Sequence, residues 1–322
     1  MEGIKIFRKP RLKEPYLIVA WPGMGEVAIK AANYLIDKLK AEQFAEILPS
    51  NFFYLTESVV KNGILRLPEP ASNKLYFWKN RVGGHDLIIL VSDSQPDLIK
   101  AEEYSRQILS LAKLLKVKRV VSFAAMPQAI DHTQDAGVWF AATNQELGNL
   151  LKRFNLQQLN EGQVSGMNGL FLGLAKREGL EGFCLLGEVP LYTIQIENPK
   201  ASYSVLEALN KVVRLNIDFS ELIDQVHAVE TQINSLLDYL KLGPSAQGPI
   251  QQDEIEKIKK SLSQLTKLPL SIKEKIEKLF GQAKSDISKA NDLKSELDKW
   301  NVYKEYEDRF LDLFKNNKEK SS

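Results

Sequence analysis

Two glycine corners, a handful of strand-end polar residues and three histidines are the parts of this chain whose types and spacing suit chemistry. Pro22-Gly23-Met24-Gly25 follows an apolar, β-prone run from Tyr16 to Trp21 and precedes a long amphipathic stretch. A strand that enters a glycine turn and opens a helix begins a βαβ unit. The free N–H groups of the helix start then converge on one point, where an anion or a carbonyl oxygen can sit. Gly23-Met24-Gly25-Glu26-Val27-Ala28 even satisfies the loose dinucleotide pattern G-x-G-x-x-G/A. Two features oppose that use. Glu26 places a carboxylate where a pyrophosphate would sit, and like charges repel. The ribose-binding acid due about 20 residues on would be Glu46, but Ile47 and Leu48 follow it, so it looks like the start of a strand. The favoured expectation is glycines serving a sharp turn and close helix–sheet packing.

The other polar groups cluster where buried strands are expected to end. Asp93-Ser94-Gln95-Pro96, Ala124-Ala125-Met126-Pro127 and Glu188-Val189-Pro190 each follow an apolar run. In open α/β sheets the carboxyl ends of the strands form the usual binding crevice. Gly23, Gly25, Ser92, Asp93, Gln95, Ala125, Ser165, Gly166, Asn168 and Glu188 are therefore candidate cleft residues. The alternative is that Asp93 and Gln95 cap the next helix and satisfy turn amides. No cationic side chain stands among these residues, which argues against a phosphate or nucleotide substrate.

Other chemistries find less. Gly162-Gln163-Val164-Ser165-Gly166 lacks the G-x-S-x-G spacing of a nucleophile elbow, and Ser165 reads instead as the cap of a helix starting near Asn168. In that helix Gly169 and Gly173 would share the face lying on the sheet. Gly182 and Gly187 have phosphate-loop spacing, but Glu188-Val189 follows where Lys-Ser is required. His85, His132 and His227 are scattered, and none has a second ligand at metal-binding spacing beyond the isolated carboxylates Asp86, Asp131, Asp135 and Glu230. No catalytic residue, metal or cofactor is assigned.

The elements that must position these groups follow from periodicity. Strands are expected at 16–21, 52–55, 64–67, 75–78, 87–92, 119–123, 138–142 and 183–186. Helices are expected at 26–40, 97–116, 144–154, 168–178 and 202–215. The runs at 87–92, 119–123 and 183–186 are apolar throughout, which suits strands buried on both faces. Residues 51–78 look like a small antiparallel insertion, giving a mixed sheet. Ser220 is expected to cap a further helix, which Gly243 closes, and GPSAQGP at 243–249 makes 243–250 a linker. The segment 251–322 is helical in pattern, with Lys and Glu interleaved and an apolar stripe running from Ile255 to Trp300. Near its end Tyr303, Tyr306, Phe310 and Leu313 fall on one helical face, a candidate partner-docking surface or a buried seam.

Composition bounds the class. The 322 residues are 44% hydrophobic and carry a net charge of +2, so no general attraction to nucleic acid or anionic membrane follows. One cysteine, Cys184, leaves no intramolecular disulfide and suits a reducing cytosol. No signal peptide or membrane span is expected.

Taken together, LIVAWPGMGEVAIKAANYLID at 17–37, DSQP at 93–96, His132-Thr133, and above all VSGMNGLFLGLAKREGLEGFCLLGEVPLY at 164–192 resemble the proteasome assembly chaperone family. The resemblance is to the type named after its second subunit, in its prokaryotic members, and it covers roughly residues 1–240. It implies a three-layer α/β domain with a mixed, mostly parallel sheet similar to nucleoside phosphorylases, here with a C-terminal helical extension. It also implies a cytoplasmic homo-oligomer that binds proteasome α-subunits or another protein without catalysis. One departure is that the chain ends in Lys318-Glu319-Lys320-Ser321-Ser322, without the hydrophobic–Tyr–any tail by which archaeal chaperones of this kind dock. A small-molecule-binding protein or enzyme using the glycine-corner cleft is the alternative.

Overall fold

Strands covered on both faces cannot alternate apolar with polar residues, and the continuously apolar runs form the middle of the sheet. The computed structural model describes residues 3–49, 52–54, 58–81, 83–242, 270–286, 289–299 and 303–318. In chain order the first body comprises β1 (Ile4–Ile6), β2 (Tyr16–Ala20), α1 (Val27–Leu39) and β3 (Glu42–Ile47). A hairpin of β4 (Val59–Lys61) and β5 (Ile64–Arg66) follows, then β6 (Asn73–Trp78), β7 (Leu87–Ser92) and α2 (Ala101–Leu114). Next come β8 (Arg119–Gln128), β9 (Val138–Ala142), α3 (Gln145–Lys152), β10 (Gln157–Gln158) and α4 (Met167–Arg177). The body finishes with β11 (Glu181–Pro190), α5 (Pro199–Val213) and α6 (Ser220–Leu242).

Nine strands join in the order β1-β3-β6-β7-β2-β8-β11-β9-β10. β7, β2, β8 and β11 run parallel, Ile18 lying between Ile89 and Val121. Antiparallel strands extend the sheet on both sides, so it is mixed. The insertion expected at 51–78 divides in two: β4 and β5 form a separate ribbon, and β6 returns antiparallel to β7. Phe52 and Phe53 are not strand as expected. They sit in a turn where both pack edge-on against Tyr104, and Leu55 lies outside the described residues. Glu46 lies near the end of β3 rather than at a strand start.

Alternation along the strands decides which helix covers which face. Leu17, Val19, Cys184 and Leu186 point into one layer, with Ile108 and Leu111 of α2 and Phe171 and Ala175 of α4. The opposite face carries α1, α3 and α5, completing three layers. β11 has a glycine facing each layer. A Cβ on Gly182 would lie 2.7 Å from Leu172 of α4, and one on Gly187 would lie 2.7 Å from the Ala201 carbonyl of α5. These phosphate-loop-spaced glycines thus let two helices approach the sheet. Gly169 and Gly173 do not play that part: Gly169 abuts the Val164 carbonyl and Gly173 is exposed. α6 packs along α5 through buried Leu222, Val226, Ile233 and Leu236. Its first residue is Ser220, and the cap comes from Asp218, whose carboxylate accepts the Ser220 amide (3.0 Å) and hydroxyl (3.0 Å).

The chain divides into two compact units, Met1–Ile250 and Gln251–Ser322. The second unit contains α7 (Leu270–Ser285), α8 (Ala290–Lys299) and α9 (Tyr303–Lys318). Ile276, Phe280, Ala283, Leu293, Leu297, Phe310 and Leu313 make its core. Arg309 joins α9 to Glu277 of α7 through two nitrogens, at 2.6 and 2.5 Å. The linker 243–250, Ile255, Ile258, Leu262, Leu265, Ile287 and Trp300 lie outside the described residues. Among the described residues no helix is long and apolar enough to cross a membrane.

Candidate functional site

Gly23, Gly166, Gln95 and Asn168 come together at the carboxyl end of β2, and there the two amide side chains bind protein backbone. Asn168, in the first turn of α4, is buried and clamps Trp21 twice. Its amide nitrogen donates to the Trp21 carbonyl (2.9 Å), and its oxygen accepts the Trp21 N–H (3.0 Å). Gln95 makes a parallel clip. Its Nε2 donates to the Pro22 carbonyl (2.6 Å), and its Oε1 accepts the N–H of Met167 (3.1 Å). Met167 opens α4, so this side chain caps the helix N-terminus that an anion would otherwise seek.

Gly25 takes φ +60°, its N–H donates to Ile194 O (3.0 Å), and its carbonyl accepts from Asn198 (2.8 Å). A Cβ there would stand 3.2 Å from the Asn198 Cβ. Gly23 is extended and exposed, with the Asn168 amide beside it. Beneath the corner the Trp21 indole donates to Tyr104 (3.3 Å), whose hydroxyl donates to buried Asn73 (2.8 Å). Burial pushes the Tyr104 phenol well above its ordinary value.

The remaining candidates hold neighbouring loops. Asp93 accepts from the Ser72 amide (3.0 Å) and the Ser94 hydroxyl (3.1 Å). Glu188 accepts from the Gly137 amide (2.9 Å) and the Trp139 indole (2.7 Å), tying β11 to the start of β9. Ser165 is exposed and does not cap α4. Gly166 occupies the cap position without a side-chain bond, because Gln95 supplies the acceptor. Cys184 is buried, and desolvation pushes its thiol up to about 12, far from a neutral-pH thiolate. Among the described residues no three His, Cys, Asp or Glu side chains converge as metal ligands. Tyr303, Tyr306, Phe310 and Leu313 do share a helix face, and it is turned into their own three-helix unit: Phe310 and Leu313 are buried and the two tyrosines half-buried.

Sequence reasoning missed a second polar cluster. The loop after β8 carries His132, which is buried against Tyr192 and α6. The Tyr192 hydroxyl accepts the His132 backbone N–H (2.8 Å) and lies 2.9 Å from its Nδ1. On its other side the ring Nε2 lies 2.8 Å from the Asn234 Oδ1 of α6. Lys200, in the first turn of α5, donates to the carbonyls of His132 (2.6 Å) and Gln134 (3.0 Å) and pairs with Glu230 of α6. Burial raises the Glu230 pKa, but Lys200 and His227 outweigh it and hold the carboxyl below its usual range. Between these groups remains a cavity of about 20 Å³, the size of a single water. α6 thus lies across part of the crevice where α/β sheets usually bind ligands. No local signal links His132 to Asn234, 102 residues on.

The family model described as PAC2 family matches residues 17–237. The chain belongs to the PAC2 family. The match spans both blocks of the sequence resemblance and every element from β2 into α6. An uncharacterized protein of Methanocaldococcus jannaschii is 24% identical over 237 residues, 70% of this chain and 84% of that one. Among solved structures, PbaB of Pyrococcus furiosus, an archaeal proteasome activator, superposes with TM-score 0.62 at 26% identity, covering 72% of this chain and 97% of that one. PbaA of the same organism, an archaeal homolog of proteasome-assembly chaperone, superposes with TM-score 0.56 at 23% identity, covering 83% and 100%. This PAC2 chain therefore has the three-layer α/β fold of those proteins, followed by a helical C-terminal unit.

Proposed function

We propose that this PAC2 protein is a non-catalytic, protein-binding chaperone or scaffold that assembles with itself and binds proteasome α-subunits. Its place is the cytoplasm, and it needs no cofactor or metal. The observation that carries this reading is how the crevice polar groups are used. Asn168, Gln95 and Glu188 each have two hydrogen bonds, and each of the three fastens one backbone segment to another. Side chains already satisfied by the fold offer a ligand little unless those bonds are broken. The likeness to PbaB brings the proteasome to this chain as the partner to try.

The candidate cleft residues Gly23, Gly25, Asp93, Gln95, Ser165, Gly166, Asn168 and Glu188 are on this reading the frame of the body. Binding falls to its outer surfaces. The direct test mixes the purified full chain with proteasome α-subunits of the same organism and follows ring assembly by native mass spectrometry. A stoichiometric complex and faster ring formation are expected. Rings that form at an unchanged rate, with no complex, would overturn the proposal.

A further inference from the structure

β4 and β5 form a ribbon of two strands, with all six residues exposed on both faces. On one face Val60 lies opposite Leu65, 62% and 70% exposed, and Leu67 beyond them is 72% exposed. The other face pairs Val59 with Arg66 and Lys61 with Ile64, so two cations sit diagonally among apolar side chains. Neither Lys61 nor Arg66 forms an ion pair among the described residues. A two-stranded ribbon is marginal in water, and apolar surface bared on both sides marks a contact surface.

A surface of opposite charge lies elsewhere on the same body. Between α1 and the first turn of α6 runs an open trough of about 350 Å³. Glu26, Asp37, Glu197 and Glu221 border it, and Ile29 and Tyr34 add apolar lining. Lys30 pairs with Glu197 and Lys38 with Glu221, whereas Glu26 and Asp37 form no ion pair among the described residues. In the chain the ribbon falls between the Phe52–Phe53 turn, which packs on Tyr104 of α2, and β6, while the trough belongs to α1 and α6.

We infer that the β4–β5 arm of one copy docks in the α1–α6 trough of a second copy, with Lys61 and Arg66 facing Glu26 and Asp37. The contact is heterologous, arm to trough, so it builds a ring or a reciprocal arm exchange. Charge fixes its register, and Val59 and Ile64 lose water against half-buried Ile29. The inference rests on the proposal that the chain assembles with itself.

Sedimentation velocity of the full chain at low and high ionic strength tests it. The unaltered chain should sediment as an oligomer that loosens with salt. Lys61→Glu with Arg66→Glu should give monomers with unchanged circular dichroism. Glu26→Lys with Asp37→Lys should do the same, and all four substitutions together should restore the oligomer. Asp37→Lys alone, at an exposed helix position, keeps the test open if Glu26→Lys disturbs the left-handed residue that starts α1. An oligomer untouched by the arm reversal, or a fourfold variant that stays monomeric, would overturn the arm-to-trough contact and leave self-assembly standing. A monomeric unaltered chain would overturn both.

Discussion

Asn168 does for the corner of β2 what a ligand would do for an open crevice, by pairing a backbone donor and acceptor that have no neighbouring strand to meet. Removing its amide leaves the buried Trp21 N–H and C=O unsatisfied, each worth about 1–3 kcal/mol. Asn168→Ala should therefore cost about 3 kcal/mol of unfolding free energy, measured by urea denaturation. Equal stability with a lost activity would instead mark a binding residue. Gly25→Ala should cost about 1–2 kcal/mol in the same assay, because an L-residue at φ +60° is strained and its Cβ meets Asn198. At this scale the sequence was partly legible. The types and neighbourhood of Gly25, Gln95 and Asn168 marked one corner, but only their geometry shows that the partners are backbone atoms 73 and 147 residues away.

Among elements, the continuously apolar strands could be read directly, since burial on both faces leaves a composition signal that needs no partner. β7 and β9 have the expected bounds, and β8 and β11 prolong the expected runs through residues that pair with each other. β1 and β3 escaped because three residues carry no period and the run Glu42–Ile47 alternates weakly. Phe52 misled for the opposite reason: an apolar turn buried on an aromatic helix side chain looks like a strand. The start of α6 offers a pH test. The Ser220 amide, then its hydroxyl, hold the Asp218 carboxyl below the usual 3.8. A carboxylate with a lowered folded pKa stabilises above its unfolded value and loses that contribution as pH falls through the folded one. Amide protection at 221–224 should thus drop below about pH 3.8 relative to neutral pH, while Asp218→Asn should flatten the profile. Hydrogen exchange read by nuclear magnetic resonance checks this, and an identical drop in both proteins would refute it.

At the scale of the whole molecule, two units each carry a core. We propose, from the sequence, an α/β domain at 1–242, a linker at 243–250 and a helical region at 251–322. Deleting 251–322 should leave near-ultraviolet circular dichroism and cooperative melting of the α/β domain in place. Loss of both would show that the helical region completes the first core. The proposed account of this PAC2 chain is that its crevice is taken up with holding the fold and its work is done by binding protein. Native mass spectrometry of the complex captured gently from its own cells tests that most directly. A homo-oligomer carrying proteasome α-subunits in fixed ratio is the result expected. A bare homo-oligomer holding a small molecule, released when Asn168 or Gln95 is replaced, would contradict it.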